Sequence, residues 1–542
     1  LASEEAVETG ERTFQPGLRR ELGLLGLVAV SVCTVIGGGI NVLSVEVQGK
    51  VPGVGALVPV AFVIGVTPAL FCALAYASLA SAMPRAGGGY IYVSRALHPF
   101  IGFMATASKW FGLASCVGVI AYLDVPLLRD AAELWGYPGI ATVLDTSFGT
   151  LWLPLIMVWV FWFINLIGMR TFGATCTALM FLMLAGGAAL IVTGFCKTPA
   201  DFAAVMASGS SPVDVDAIVR ESTAEPGGLG QLVKATGFLF FAYIGFATIS
   251  QAGGETRDPV RVLPKAFIIS TAVIAGYYVL YSAAVYHVVP WKYVDHAVTT
   301  SETGVSAPGL IGPLMPAAIA GFVAFTAAIA LANDIPPMLM AVSRLFFSWA
   351  RDGIFPRSLA GVNRVFHTPH WALTACALVG TAVIIECHVH GKAGFFAGID
   401  TVTIALLFTY MMVSLSVIAF PRQNPELYKK VAFLRSRRAQ VLVAIVALST
   451  IGALLVIQIN ADLTQLGEVV GQGLADGASP ASVWFTALSR SATVFWLAVM
   501  AVAAVIFTVM WRAARRRGED PAVVFRTLPD EEPDAIEAAG IV

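Results

Sequence analysis

The sequence predicts an all-α polytopic membrane protein of about twelve transmembrane helices, and three observations lead there. Apolar runs of about 20 residues, the length that crosses a bilayer's hydrocarbon core, recur along most of the chain. Charge is scarce: 57 % of the 542 residues are apolar and 12 % are charged, where an ordinary soluble domain carries about 25 % charged residues. The basic residues collect in alternate loops between the runs, the asymmetry that orients helices across a membrane. The near-neutral net charge of −1 gives no reason to expect nucleic acid as a partner; the expected surroundings are membrane lipid. The first 21 residues are polar and mixed in charge, without the apolar core of a signal peptide. The seven cysteines fall in or at the ends of apolar runs without metal-ligand spacing and read as small packing residues.

In chain order the runs place spans at about Leu22–Val45, Ala56–Met83, Ile101–Val125, Leu151–Ile167, Phe172–Phe195, Leu232–Gly253, Ala266–Val289, Leu314–Ile335, Ala372–Cys387, Thr401–Phe420, Val441–Ile459 and Val483–Trp511. With the N-terminus in the cytosol, the inner loops hold Arg85 and Arg95; Arg170; Arg257, Arg261 and Lys265; Arg344, Arg351, Arg357 and Arg364; Arg422 to Arg438; and Arg512 to Arg517. The outer segments carry few bases and the acids Asp145, Asp214, Asp216, Asp295, Glu302, Asp462, Glu468 and Asp476. This arrangement predicts a multi-pass plasma-membrane protein with both termini cytosolic. The tail ending in Asp530, Glu531, Glu532 and Asp534 reads as disordered.

The first span holds Thr34-Val35-Ile36-Gly37-Gly38-Gly39-Ile40-Asn41. Each glycine costs a helix about 1 kcal/mol relative to alanine, so three in a row at mid-depth predict a break. Amides freed at the start of a half-helix converge and carry the positive end of a dipole, which suits a carboxylate. Irregular backbone at that depth survives only where it is buried in protein or lines a cavity. Gly37, Gly38 and Gly39 therefore read as the floor of a ligand site, with close helix packing by small residues as the alternative. The sixth span has Gly245 among aromatics at a comparable depth. The two breaks lie five spans apart, so the two halves they belong to are inverted relative to each other. Paired interruptions of this kind point to a carrier's binding site.

These residues, with Ala75-Tyr76-Ala77-Ser78-Leu79-Ala80-Ser81-Ala82-Met83-Pro84-Arg85-Ala86-Gly87-Gly88-Gly89-Tyr90, Phe241-Ala242-Tyr243-Ile244-Gly245-Phe246, Gly254-Glu255-Thr256-Arg257-Asp258-Pro259, Leu263-Pro264, and Ser343-Arg344 followed by Ala350-Arg351-Asp352-Gly353 and Pro356, resemble the motifs of the amino acid–polyamine–organocation (APC) permeases. The resemblance covers about Leu22 to Tyr428. It implies a LeuT-type fold: a first five-helix repeat over 22–196, an extracellular loop over 197–231, a second inverted repeat over 232–420, a basic cytosolic loop over 421–440, two further helices over 441–511, and cytosolic tails over 1–21 and 512–542. It implies a substrate between the broken first and sixth spans. The amides of Gly38 and Gly39 would meet an amino-acid carboxylate, and the carbonyls of Val35, Phe241, Ala242 and Ile244 would take its ammonium, with the Phe241 ring as a lid.

The sequence departs from the family's patterns at two places. Ala247 stands where some members that carry cationic substrates have an acid, which argues for a neutral substrate. Met183 aligns with a fifth-span lysine that proton-coupled members place at another member's sodium position, and a thioether cannot do that proton chemistry. Other coupling candidates are the few ionisable or hydroxyl groups inside spans, where such groups are costly. Lys109, in the third span, is weighed against snorkelling to the interface, and snorkelling is favoured. Asp334, before Ile335-Pro336-Pro337, is a proton or cation site or a helix cap, and the cap is favoured. Asp124 is placed at a solvated outer end. Thr326 offers a hydroxyl to sodium or back to its own helix. Glu386, His388 and His390 crowd one loop, where a metal or pH role is weighed against plain exposure.

The expectation is a secondary active transporter of amino acids or related amines that works by alternating access. It would be proton- or sodium-coupled or an exchanger, with H+ or Na+ as the only coupling ion and no cofactor, metal site or enzymatic activity. No G-x-x-x-x-G-K-[ST] run offers direct ATP drive. Two alternatives remain open: a cation–chloride cotransporter-like carrier of the same fold, and a non-transporting amino-acid sensor. Oligomeric state is not readable.

Overall fold

A computed structural model describes residues 20–208, 212–301, 305–355, 361, 366, 368–390, 392–475, 479–480, 483–484, 487–488, 491–516 and 525–528. The N-terminal tail through residue 19, Glu302, Pro356, Arg357, Arg364, Asp476, Arg517 and the acidic C-terminal end lie outside these residues, as does the side chain of His390.

The regular elements among the described residues are helices. The long ones in order are α1 (Leu24–Cys33), α2 (Gly38–Asn41), α3 (Leu43–Lys50), α4 (Val58–Ala82), α5 (Gly89–Ala96), α6 (Pro99–Leu134), α7 (Leu153–Ile167), α8 (Met169–Cys196), α9 (Leu229–Leu239), α10 (Pro259–Val288), α11 (Ala317–Ala332), α12 (Ile335–Arg351), α13 (His370–His390), α14 (Lys392–Gln423), α15 (Arg437–Ala475) and α16 (Ala492–Arg516), with the short α2, α3 and α5 kept because they shape the site. Among the described residues, eleven helical stretches are long and apolar enough to cross a membrane. The twelfth crossing is the first, which fails that length test because its helix stops at Cys33 and restarts at Gly38. The all-α polytopic architecture of about twelve spans expected from the sequence is what the structure shows. A closed set of helices is one of the two ways to satisfy every backbone group in hydrocarbon.

Several spans differ from the expected bounds. The third is α6, 36 residues long, so Asp124 lies well inside it and is buried, not at a solvated outer end. The eighth does not end in a loop. After a two-residue interruption at Asn333 and Asp334, α12 continues through Ser343, Arg344 and Arg351, with Pro336 and Pro337 in its first turn, where missing amides cost nothing. The ninth is a full 21 residues, and α15 runs 39 residues, beyond Ile459. Its Asp462 is buried, accepting from Ser491 Oγ (2.6 Å) and from the amides of Ala492 (3.0 Å) and Thr493 (3.0 Å), and so caps α16. A carboxylate is favoured at a helix start, where free amides and the dipole's positive end meet. Six of the seven cysteines are buried and all are free, as packing residues are.

The helix α6 runs through the middle of the bundle, against α5, α11, α13 and α14. The helix α10 packs along α4, α1 and α8. The start of α1, the ends of α4, α12 and α14, and the start of α15 share one face, called the basic face here. There the chain before α1 pairs with the chain before α10: Glu21 N and Leu22 N donate to Glu255 O (both 2.9 Å), and Arg257 N donates to Leu22 O (2.9 Å).

Candidate substrate and coupling site

Two helices break at the centre of the bundle, and glycine sets how closely the breaks approach. After α1, residues Thr34 to Gly37 leave the helical ladder, and α2 restarts at Gly38. After α9, a tight turn over Phe240–Tyr243 leads to an extended Ile244, then Gly245 at φ +123°, then a second tight helical stretch over Phe246–Gln251. Gly245 lies in a backbone region closed to L side chains, and a Cβ there would also fall 3.1 Å from the carbonyl carbon of Thr34. A Cβ on Gly39 would stand 2.6 Å from Ala242 Cα. The two breaks therefore touch backbone to backbone.

Their carbonyls converge. Val35 O and Ala242 O both accept from the hydroxyl of Tyr278 on α10, the second at 2.8 Å. Phe241 O is taken locally by Ile244 N (2.9 Å), and the Phe241 ring is half-buried. Gly37 O accepts from Asn41 Nδ2 (2.9 Å), whose Oδ1 accepts from Tyr281 OH (2.7 Å). Gly245 N donates to Tyr410 OH (3.3 Å) on α14. The sequence names Val35, Gly37, Gly38, Gly39, Phe241, Ala242 and Ile244; it gives no signal for Tyr278, Tyr281 or Tyr410, whose roles depend on helices far away in the chain.

Asp334 lies against the first break: a Cβ on Gly37 would come 2.8 Å from its Cγ. It occupies the position before α12, but its side chain accepts no hydrogen bond from that helix, and its Oδ1 has no partner among the described residues. The cap reading favoured by the sequence is therefore not what the carboxylate does. The reason is geometric: Asp334 itself has helical backbone angles (φ −68°, ψ −28°), which turn the side chain away from the freed amides. Asp124 on α6 is also buried, with an Oδ1 that has no partner among the described residues.

The other coupling candidates lie in two further places. Thr326 and Met183 meet with Asn41, Gly187 and Tyr281 around a cavity of ≈ 10 Å³, and the Thr326 hydroxyl donates to Val323 O (2.9 Å) of its own helix. Lys109 does not snorkel. It is 1 % exposed, because α6 is enclosed by other helices and has no lipid-facing path to an interface. Its Nζ donates to Ala247 O (3.4 Å). Near the end of α13, His388 shares a hydrogen bond with Thr150 Oγ1 (3.0 Å), and no group of acids, cysteines or histidines fit to hold a metal ion occurs among the described residues.

The basic face is shut by charges. Arg344 of α12 meets Glu255 through Nη2–Oε1 (2.6 Å) and Nε–Oε2 (3.2 Å), with both side chains 1 % exposed. Arg95 of α5 grips Asp352 through Nη1–Oδ2 (2.5 Å) and Nη2–Oδ1 (2.9 Å). Arg344, Glu255 and Asp352 lie inside the sequence motifs quoted above and Arg95 lies just beyond one of them, but the motifs do not say that they pair. A groove of ≈ 430 Å³ separates the start of α1 from α8 beside them, lined by Leu22, Gly26, Arg170 and Thr177 among others.

A polytopic helical membrane protein with two broken helices facing each other backbone to backbone belongs to the class of membrane carriers. The amino acid permease family model matches residues 22–471, and the chain belongs to that family, one of transporters. It is 26 % identical to a branched-chain amino acid permease of Bacillus subtilis, over 78 % of this chain and 84 % of that protein. It is 24 % identical to a D-serine/D-alanine/glycine transporter of Escherichia coli (62 % and 68 % covered). It is also 24 % identical to cationic amino acid transporter 4 of Homo sapiens (77 % and 62 %).

Proposed function

We propose that this chain is a secondary carrier of amino acids or close amine relatives in the plasma membrane, with both termini in the cytosol, working by alternating access. The observation that carries the reading is the convergence of Val35 O and Ala242 O on one hydroxyl. Tyr278 has a single hydroxyl hydrogen, so it serves one of two buried carbonyls at a time. An ammonium brings three donors and satisfies both, while the Tyr278 oxygen accepts the third. The amides at the start of α2, Gly38 and Gly39, suit the carboxylate at the other end of the same small molecule. A backbone site of this kind reads the α-amino and α-carboxylate groups and leaves the side chain to the surrounding walls. Ala247 adds no acid there, and the neighbouring Lys109 adds a base, so the reading favours a neutral side chain.

The closed basic face is one end state. Parting the Leu22–Glu255–Arg257 pairing and swinging α1 into the groove beside α8 gives the other. Asp334, Lys109 and the Thr326–Met183 pocket are the candidate coupling positions, for a proton or a sodium ion. The test is uptake of a labelled amino-acid panel into proteoliposomes, with an inward proton gradient, with external sodium, and with preloaded lumen. Concentrative uptake of one class under either gradient supports the reading, and preload-dependent uptake makes the protein an exchanger. Rubidium and chloride uptake without any amino acid overturns it in favour of an inorganic-ion carrier.

A further inference from the structure

Among the described residues, Lys109 is a buried lysine for which no carboxylate forms an ion pair. Its surroundings suit an uncharged amine. Ala247 O stands 3.4 Å from Nζ. With the Gln251 amide oriented to donate to Gly87 O (2.9 Å), the Gln251 oxygen stands 3.3 Å from Nζ on another side. Two acceptors match the two hydrogens of a neutral amine. A third hydrogen would have only the face of Tyr76, whose centroid is 5.8 Å away. The titratable groups facing this amine are Cys72 and Tyr76 of α4; the rings of Tyr92 from α5 and Tyr410 from α14 stand behind Tyr76 at 6.1 and 6.0 Å. The stretch Phe246–Gln251 contributes only a carbonyl and an amide. No acid in this set balances a positive charge, and an uncompensated buried ammonium is strongly disfavoured.

Position connects this amine to the gate. Ala247 and Gln251 belong to the tight helical stretch that leaves the second break and runs on to Glu255, the residue that pairs with Leu22, Glu21 and Arg344 to shut the basic face. Gln251 also ties that stretch to Gly87, next to the bridge between Ala86 and Ala252. The lysine therefore hangs on the segment that must part for the face to open.

We propose that Lys109 is the proton-carrying group of the transport cycle: an amine while the basic face is closed, an ammonium when it opens. This rests on the alternating-access reading above. One proton binds the Nζ lone pair from water on the opposite side. The charged form destabilises the closed packing around Ala247 and Gln251 and favours the state that admits water from the basic face. The proton leaves to that water, and the neutral amine is buried again. Protonation and opening are then linked equilibria, each shifting the other by the same factor.

The test follows the gate directly. Leu22→Cys places a thiol where the closed face buries it, and its maleimide labelling rate reports opening in the full-length protein in liposomes. Rates are normalised to a free thiol at each pH to remove the thiol's own ionisation. Between about pH 8.5 and about pH 6, labelling should rise about fivefold or more in this background, the usual scale of a linked transition. Adding Lys109→Gln, which is never charged, should keep labelling low at both pH values, and adding Lys109→Arg, always charged, should keep it high at both. A Lys109→Gln protein that keeps the full pH response overturns the proposal, whatever Lys109→Arg does. Amino-acid uptake in the same liposomes separates the two readings. No uptake of any amino acid with a Lys109-dependent gate rejects the substrate class alone. Proton-driven uptake unchanged in Lys109→Gln rejects Lys109 alone.

Discussion

The molecule buries ionisable groups in two regions, and it treats the two oppositely. At the basic face, Arg344 meets Glu255 and Arg95 meets Asp352, each through two short hydrogen bonds with both partners sealed from solvent. Around the helix breaks, among the described residues, Asp334 and Asp124 each keep an oxygen without a partner, and Lys109 has carbonyl acceptors but no counter-ion. Desolvation is costly in both places. At the face it is offset by bidentate pairing, so the charges hold two segments in register. At the centre it is not offset within the protein. A buried group left short of partners is one that a ligand, an ion or a proton can complete. Paired charges hold segments together, and under the proposed function the unpaired ionisable groups are where something binds.

The largest expected effect tests the paired side. Glu255→Gln leaves Arg344 buried without its counter-charge and should cost about 3–5 kcal/mol of stability. Replacing both residues by apolar ones, Glu255→Leu with Arg344→Met, should recover most of that, since isosteric apolar pairs often match buried ion pairs. Thermal unfolding of the detergent-solubilised protein measures both. If the double variant is as unstable as the single, the pair does more than neutralise itself and the comparison weakens. Next in size are the backbone contacts at the breaks. Gly39→Ala forces a methyl into Ala242 and should cost about 1–3 kcal/mol, as overpacking does. Uptake should fall far more than stability, because the ligand's two anchoring sets of backbone groups are pushed apart. Gly38→Leu should abolish binding while folded protein remains in the membrane. Uptake at the parent rate in either variant would remove the breaks from the site.

The breaks were legible because their requirement is carried by single residues. The glycines at Gly37, Gly39 and Gly245 can be read without knowing what they face, since only glycine permits that backbone or that approach. What they face was not legible. Tyr278 joins Val35 across 243 positions of sequence, and Glu255 joins Arg344 across 89. Neither tyrosine nor arginine has a spacing rule at that range. Span edges were the other weak point. Reading the third span as ending at Val125 put Asp124 in water, and placing Lys109 near the span's inner end gave it a snorkelling route to the interface that an enclosed helix does not have. Asp334 misled for a local reason: an acid before Ile-Pro-Pro is a strong cap signal, and only the backbone angles show that the side chain points elsewhere.

On the unpaired side the signs reverse. Asp334→Asn removes a charge with no protein counter-charge, so stability should change by no more than about 1 kcal/mol and in the favourable direction, unlike Glu255→Gln. Transport should lose its ability to concentrate substrate if Asp334 carries the coupling ion. A destabilised Asp334→Asn protein that still concentrates substrate would place Asp334 with the structural charges and collapse the distinction.

The smallest chemical change is the sharpest test. Tyr278→Phe deletes one hydroxyl and leaves the ring packed against Phe62 and Tyr243, at centroid distances of 5.4 and 5.1 Å. It frees Val35 O and Ala242 O together, so two buried acceptors lose their shared donor at a cost of about 1–2 kcal/mol in the empty protein. A bound ammonium still supplies donors to both carbonyls, so substrate should restore more stability to Tyr278→Phe than to the parent protein. If Tyr278 instead ties the breaks together as plain structure, substrate should stabilise both proteins equally. Melting temperatures with and without saturating substrate distinguish the two, because the difference between differences isolates the donor that the ligand replaces.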